Sequence, residues 1–146
     1  MSGQDTVEYN KSIVERCFND VWNNGNMDVI SDLVHPNFIR HHERNRDEDL
    51  HGVEDFRLWV SRTRQALPDL RFDIERIFGE TDRIMAHVRG RATHKGELKG
   101  VSATGTEIEW TVTTFIRLTD GKIVECWVIA DTLGILQQLG AIERIQ

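Results

Sequence analysis

Asp131 is the side chain in this sequence best placed for acid–base chemistry. It follows the mostly apolar run Ile123-Val124-Glu125-Cys126-Trp127-Val128-Ile129-Ala130 and precedes Leu133. It therefore stands at the end of an apolar strand, and alternation with a period of two puts it on the same strand face as Trp127. A carboxyl held beside an aromatic ring in an enclosed pocket loses hydration, and its pKa rises toward the range useful to a general base or acid. The same residue types have a plainer use, because Asp131 or Thr132 would cap a helix beginning near Leu133. The two roles can coexist.

Histidines are the next candidates. His41 and His42 are adjacent, so in an extended segment they face opposite sides and at most one enters a pocket. His87 shares a strand face with Arg89 and Arg91, which suits either an acidic ligand or water. His94 opens the polar turn His-Lys-Gly-Glu, and His35 sits at a helix end before Pro36. His35, His41, His42, Glu43 and His51 are numerous enough to hold a metal, yet no pair has zinc-peptidase spacing and there is no Cys-x-x-Cys. No metal site is expected. Phosphate-binding glycine motifs and a Gly-x-Ser-x-Gly nucleophile elbow are absent as well. Trp22, Trp59, Trp110 and Trp127 supply large rigid apolar surfaces, mostly core, but Trp110 and Trp127 could wall a flat aromatic ligand.

These side chains need elements to hold them. Apolar residues recur at helical spacing from Thr6 to Trp22, and Asn23, Asn24 and Gly25 end that helix. A short second helix is expected over Met27–Val34, capped by Asn26 and stopped by Pro36, followed by a short edge strand over Phe38–His42. A third helix runs from Val53 to Leu67. Beyond Pro68 the period changes to two. Strands are expected over Arg71–Phe78, with an irregularity after Ile74, and over Arg83–His94, Glu107–Leu118 and Lys122–Ala130. The last two are joined at the Asp120-Gly121 hairpin signal. A short helix over Leu133–Gln138 ends the pattern. Helices first and a strand meander afterwards give an α+β domain: a strongly curved antiparallel sheet, bent at Gly90, with N-terminal helices enclosing a pocket. The face carrying Glu109, Thr111, Thr113, Phe115 and Arg117, opposite Trp110, could meet a second copy, so a homodimer or homotetramer is expected.

The 146 residues suit one domain, 1–146, with residues 1–5 expected to be flexible. A formal charge of -6 argues against nonspecific nucleic-acid binding. No apolar run is long enough for a membrane span, and the N-terminus lacks the basic and apolar parts of a secretion signal, so a cytoplasmic location is expected. Cys17 and Cys126 lie in apolar patterns and read as core residues.

Six segments in this order resemble the SnoaL-like polyketide cyclases of the NTF2-like, ketosteroid-isomerase-like group. They are Asn23-Asn24-Gly25, His35-Pro36-Asn37-Phe38 to His41, Ala66-Leu67-Pro68-Asp69-Leu70-Arg71-Phe72, Thr93-His94-Lys95-Gly96-Glu97, Asp120 to Trp127, and Asp131-Thr132-Leu133-Gly134-Ile135-Leu136-Gln137-Gln138-Leu139-Gly140. The resemblance implies a cone-shaped fold and an intramolecular aldol condensation of an aromatic polyketide ester, with neither metal nor organic cofactor. It places the family's acid/base aspartate on Asp131. Asp131 and His41 are then the catalytic candidates, and Trp127, Trp110, Phe115, His94 and Trp59 the substrate-binding ones. The implied partner is a small aromatic or carbonyl-bearing molecule. A hydroxylase-like or other NTF2-like enzyme, and a noncatalytic binding or partner module, are the alternatives.

Overall fold

The computed structural model describes residues 3–143, with side chains described from residue 6 onward. Of the stretch expected to be flexible, residues 1 and 2 lie outside the described residues, while Gly3 to Asp5 open the first helix. Helix α1 spans Gly3–Arg16 and continues as a π-helical segment over Cys17–Asn23. A 3-10 turn at Met27–Val29, capped by the Asn26 side chain on the Asp28 N–H, leads into α2, Ile30–Leu33. Then follow β1 (Val34–His41), a two-residue β2 (Leu50–His51), α3 (Gly52–Ala66), β3 (Arg71–Glu80), β4 (Arg83–Thr93), β5 (Glu107–Thr119), β6 (Lys122–Ala130) and α4 (Thr132–Gln138).

The six strands form one sheet in the order β2-β1-β6-β5-β4-β3. This corrects the expected architecture in two respects. The sheet is mixed rather than antiparallel, because β1 leaves α2 running parallel to β6. It is also open, with β2 and β3 as separate edges, and is not the strongly curved, cone-forming sheet expected. The bend assigned to Gly90 is absent for a clear reason. The β4–β5 ladder runs from Arg83↔Arg117 to Thr93↔Glu107 without a register shift, and Gly90 sits inside it, opposite Trp110. A side chain is missing there because the space is taken: a Cβ on Gly90 would lie 2.7 Å from the Trp110 ring and 2.9 Å from the Phe72 ring.

The expected irregularity in β3 is present, as a register shift between Ile74 and Arg76. The segment after α2 differs from expectation. The helix stops at Leu33, and β1 lies between β2 and β6 instead of at an edge. Pro36 falls inside β1 where its ladder with β6 changes register, between Val34 and Ile39, so its missing N–H interrupts no regular pairing.

Alternation sets the two sheet faces. Along β5, Ile108, Trp110, Val112, Thr114, Ile116 and Leu118 are buried, and along β4 Ile84, Ala86, Val88 and Ala92 are buried beside Gly90. Helices α1 and α3 cover this inner face. Their seat on the sheet is fixed by polar groups as well as apolar ones. Asn23 at the end of the π-helical segment donates to the Phe72 carbonyl at 2.9 Å and accepts from the Phe72 N–H at 2.7 Å, clamping it to edge strand β3. From α3, Arg64 reaches the Trp22 carbonyl at 2.6 Å and the Asn23 carbonyl at 3.1 Å, which satisfies acceptors left over at that helix end.

Substituting Gly90→Ala should therefore lower the unfolding free energy by about 1–3 kcal/mol, the usual cost of overpacking a filled core. Urea denaturation checks this, and an unchanged midpoint would show that the two rings move aside freely.

Candidate functional site

Between the inner face and the helices lies a cavity of about 180 Å³. Its walls are Phe18 and Trp22 from the first helical stretch, Phe56 and Trp59 from α3, Phe72 from β3, and Trp110 with Val112, Thr114 and Ile116 from β5. Cys126, Val128 and Ala130 of β6 and Ile135 of α4 complete the lining on the far side. The rings pack edge to face: Trp22 against Trp59 at 4.8 Å between centroids, Trp22 against Phe72 at 5.9 Å, and Phe72 against Trp110 at 5.9 Å. Such contacts hold rings rigidly, so the cavity wall is preformed. Burial pushes the Cys17 and Cys126 thiols up to about 12, with the Asp20 charge adding to the effect at Cys17. Both are held as neutral thiols.

The expected site residues divide between two places. Trp110 and Trp59 line the cavity. Trp127 and Phe115 do not: they are register partners on β6 and β5, and both point from the outer face, where they border a shallow groove with Phe78 and Met85. The expectation that Trp110 and Trp127 wall one ligand is thereby corrected. The β5–β6 register pairs Trp127 with Phe115, so Trp127 takes the face opposite Trp110.

His41 is also outside the cavity. It stacks on Trp127 at 4.6 Å and shares a hydrogen bond with Glu125 at 2.7 Å, while Arg117 donates to the other Glu125 oxygen at 2.8 Å. Burial opposes ionisation of Glu125, but hydrogen bonds from Arg117 and His41, together with the Arg117 charge, hold its carboxyl below the ordinary value of 4.5.

His94 is fully buried, and its Nδ1 lies 3.2 Å from the Thr104 N–H and 2.8 Å from the Thr104 hydroxyl. That ring pins the loop before β5 and is absent from the cavity lining. Asp131 is the N-cap of α4, its Oδ1 accepting the Gly134 N–H at 3.0 Å. Its carboxylate is exposed and is not part of the cavity lining, although its chain neighbour Ala130 and Ile135 one turn on both are.

Reading the sequence missed Lys99. The connection between β4 and β5 contains a tight hairpin in which Leu98 and Val101 exchange both backbone hydrogen bonds. Its central residues, Lys99 and Gly100, both have positive φ, 50° and 81°. This is the two-residue turn in which glycine at the second position is favoured, and Lys99-Gly100 was the available signal. The hairpin carries Leu98 and Lys99 into the cavity lining.

An α+β domain with helices over one sheet face and an aromatic-walled cavity between them is a small-molecule binding architecture. The chain belongs to the SnoaL-like polyketide cyclase family, whose model matches residues 12–139. Among similar solved structures, a candidate polyketide cyclase from Acidithiobacillus ferrooxidans is 28% identical, with a TM-score of 0.78 over 91% of this chain and 95% of that one. AclR, a candidate hydroxylase from Streptomyces galilaeus, is 26% identical, with a TM-score of 0.81 over 99% and 87%. A candidate SnoaL-like cyclase from Jannaschia sp. CCS1 shares the fold at a TM-score of 0.84 and 22% identity, over 93% and 94%. No curated protein matches the chain. Among the described residues no helix is long and apolar enough to cross a membrane, and no group of three or more His, Cys, Asp or Glu side chains is arranged to hold a metal ion.

The Glu125 carboxyl gives a pH test. A carboxyl depressed in the folded state contributes stability that is present above its ordinary value and is lost as pH falls through its folded value. The stability advantage of wild type over Glu125→Gln should thus be present at neutral pH and shrink as pH falls below 4.5. Urea titrations at a series of pH values measure it; a difference independent of pH would contradict the assignment.

Proposed function

We propose that this protein is a cyclase-type enzyme that binds a small, flat carbonyl compound in the inner cavity and uses Asp131, the chain neighbour of Ala130, as its acid/base group. The observation that carries this reading is the aromatic-walled cavity itself, and family membership supports a cyclase type of reaction. A cavity of about 180 Å³ is close to the size that accommodates a single benzene ring and well below the usual drug-sized site, which favours one or two rings over three.

In the proposed reaction the ring system lies between Trp110 and Trp59, and the carbonyl-bearing end extends toward Ala130 and Ile135. Asp131 takes a proton from the carbon next to the carbonyl, and the electron pair of that C–H bond becomes an enolate. The enolate carbon attacks a ketone of the same molecule, forming the new C–C bond, and a proton returns to the resulting alkoxide. Holding both carbons in one site supplies much of the rate. Asp131 must exchange its Gly134 N–H bond for the substrate during the reaction. The position of His41 on the outer face, engaged by Glu125 and Trp127, supports leaving it out of the proton path.

Two variants test this. Asp131→Asn should lower kcat for cyclisation of an aryl β-keto ester by at least ~100-fold, the scale of a lost general base, with little change in KM. Ala130→Leu, which enlarges a lining side chain, should raise KM and weaken ligand quenching of tryptophan fluorescence. Unchanged turnover in Asp131→Asn would leave a binding module, a reading favoured by the lack of a carboxylate or imidazole among the described residues that line the cavity.

The homodimer expectation is carried forward on the outer face. Phe78, Phe115 and Ile129 are 54%, 46% and 51% exposed there, and exposed apolar side chains on one sheet face suit an interface with a second copy. Sedimentation should give a dimer or tetramer for wild type and a monomer for Phe115→Glu. A monomeric wild type at micromolar concentration would contradict self-association.

A further inference from the structure

The cavity is apolar nearly throughout, yet two cations approach it. Among the described residues, Lys99 is the only charged residue of its lining. Arg40 is the second: it is the register partner of Cys126 across β1 and β6, and Cys126 lines the cavity, so Arg40 shares the inner face. Its guanidinium lies over the Trp59 ring, 5.0 Å from the centroid. Arg40 thus borders two residues, Trp59 and Cys126, of the same lining to which Lys99 belongs. This concentration of positive charge stands out in a chain whose net charge is -6.

Among the described residues no carboxylate forms an ion pair with Lys99 or Arg40. Arg40 Nη2 donates only to a backbone carbonyl, that of Glu48 at 3.3 Å, and its buried Nε has no hydrogen-bond partner. An unpaired buried donor and like charges bordering one cavity are both unfavourable, and an anionic acceptor there would relieve both. Lys99 remains solvent-accessible at the mouth, although burial of its ammonium, followed by the Arg40 charge, holds it below the usual lysine range.

We infer that Lys99 and Arg40 form an oxyanion subsite at the mouth of the inner cavity, selecting a flat ring-bearing ligand that carries a carboxylate or ionised phenol. The ring would occupy the aromatic cavity and its anionic oxygen would lie between the Lys99 ammonium and the Arg40 Nε–H. The inference rests on the reading of the inner cavity as the ligand site, and it adds a charge requirement that the cavity walls alone do not impose. Lys99 also has a geometric reason to be where it is. The positive-φ hairpin sets the direction in which its side chain leaves the backbone at the cavity lining.

The probes are 2-naphthoate and its neutral isostere 2-naphthamide, with binding followed by tryptophan fluorescence and calorimetry. Wild type should bind the naphthoate about tenfold more tightly, the gain expected of a charge-assisted contact in a partly buried site. Lys99→Asn keeps a residue tolerant of positive φ and should reduce that preference to about twofold while leaving naphthamide affinity unchanged. Lys99→Arg should restore it. Equal binding of the two probes to wild type overturns the oxyanion subsite and leaves the cavity reading standing. Loss of both probes alike in Lys99→Asn also overturns it, since Lys99 would then act only through the hairpin. Failure of wild type to bind either probe overturns the cavity reading, and the subsite with it.

Discussion

The contact on which the inner face depends is the seating of Trp110 and Phe72 against the bare backbone of Gly90. Because no Cβ intervenes, both rings reach the backbone of Gly90 and meet each other edge to face. The same contact transmits to the helices, since Phe72 meets both Phe18 and Trp22 edge to face and its backbone is gripped on both sides by Asn23. The cavity is thus bounded by rings whose positions are set by an uninterrupted β4–β5 register, a polar clamp on β3 and the packing of α3. A site assembled in this way loses little freedom when a ligand enters.

The sheet separates two kinds of chemistry. Its inner face offers apolar walls, neutral thiols and, at the mouth, positive charge. Its outer face carries the His41–Glu125–Arg117 cluster, Trp127 and the exposed apolar stripe through Phe78 and Phe115. Side chains adjacent in sequence on β6 therefore serve different surfaces. Cys126 faces the cavity while Trp127 stacks on His41, and only the strand pairing decides which is which.

Much of the scaffold was legible in the letters. The alternation along β4 and β5, the Asp120-Gly121 turn and the helical stripes of α1 and α3 each state a local geometry that tertiary packing did not overrule. The site was legible only in part. Trp110 and Trp59 could be placed because their apolar neighbours repeat at the right period. Trp127 could not, because the faces of β6 are fixed by its pairing with Phe115. Nor does alternation within separate strands reveal that β1 joins β6 in parallel or that the sheet stays open. Lys99 lay in a connection without periodicity, and its importance follows from a backbone turn and from Arg40, a residue 59 positions away that no local pattern links to it.

Both the proposed reaction and the oxyanion subsite require that the inner cavity, not the outer groove, receive the ligand. Nuclear Overhauser contacts between bound 2-naphthoate and the methyl groups of the protein decide between the two directly. Contacts to Val112, Ile116 and Val128 are predicted. Contacts to Met85 and to the Phe115 and Trp127 rings, with none to those three residues, would contradict it.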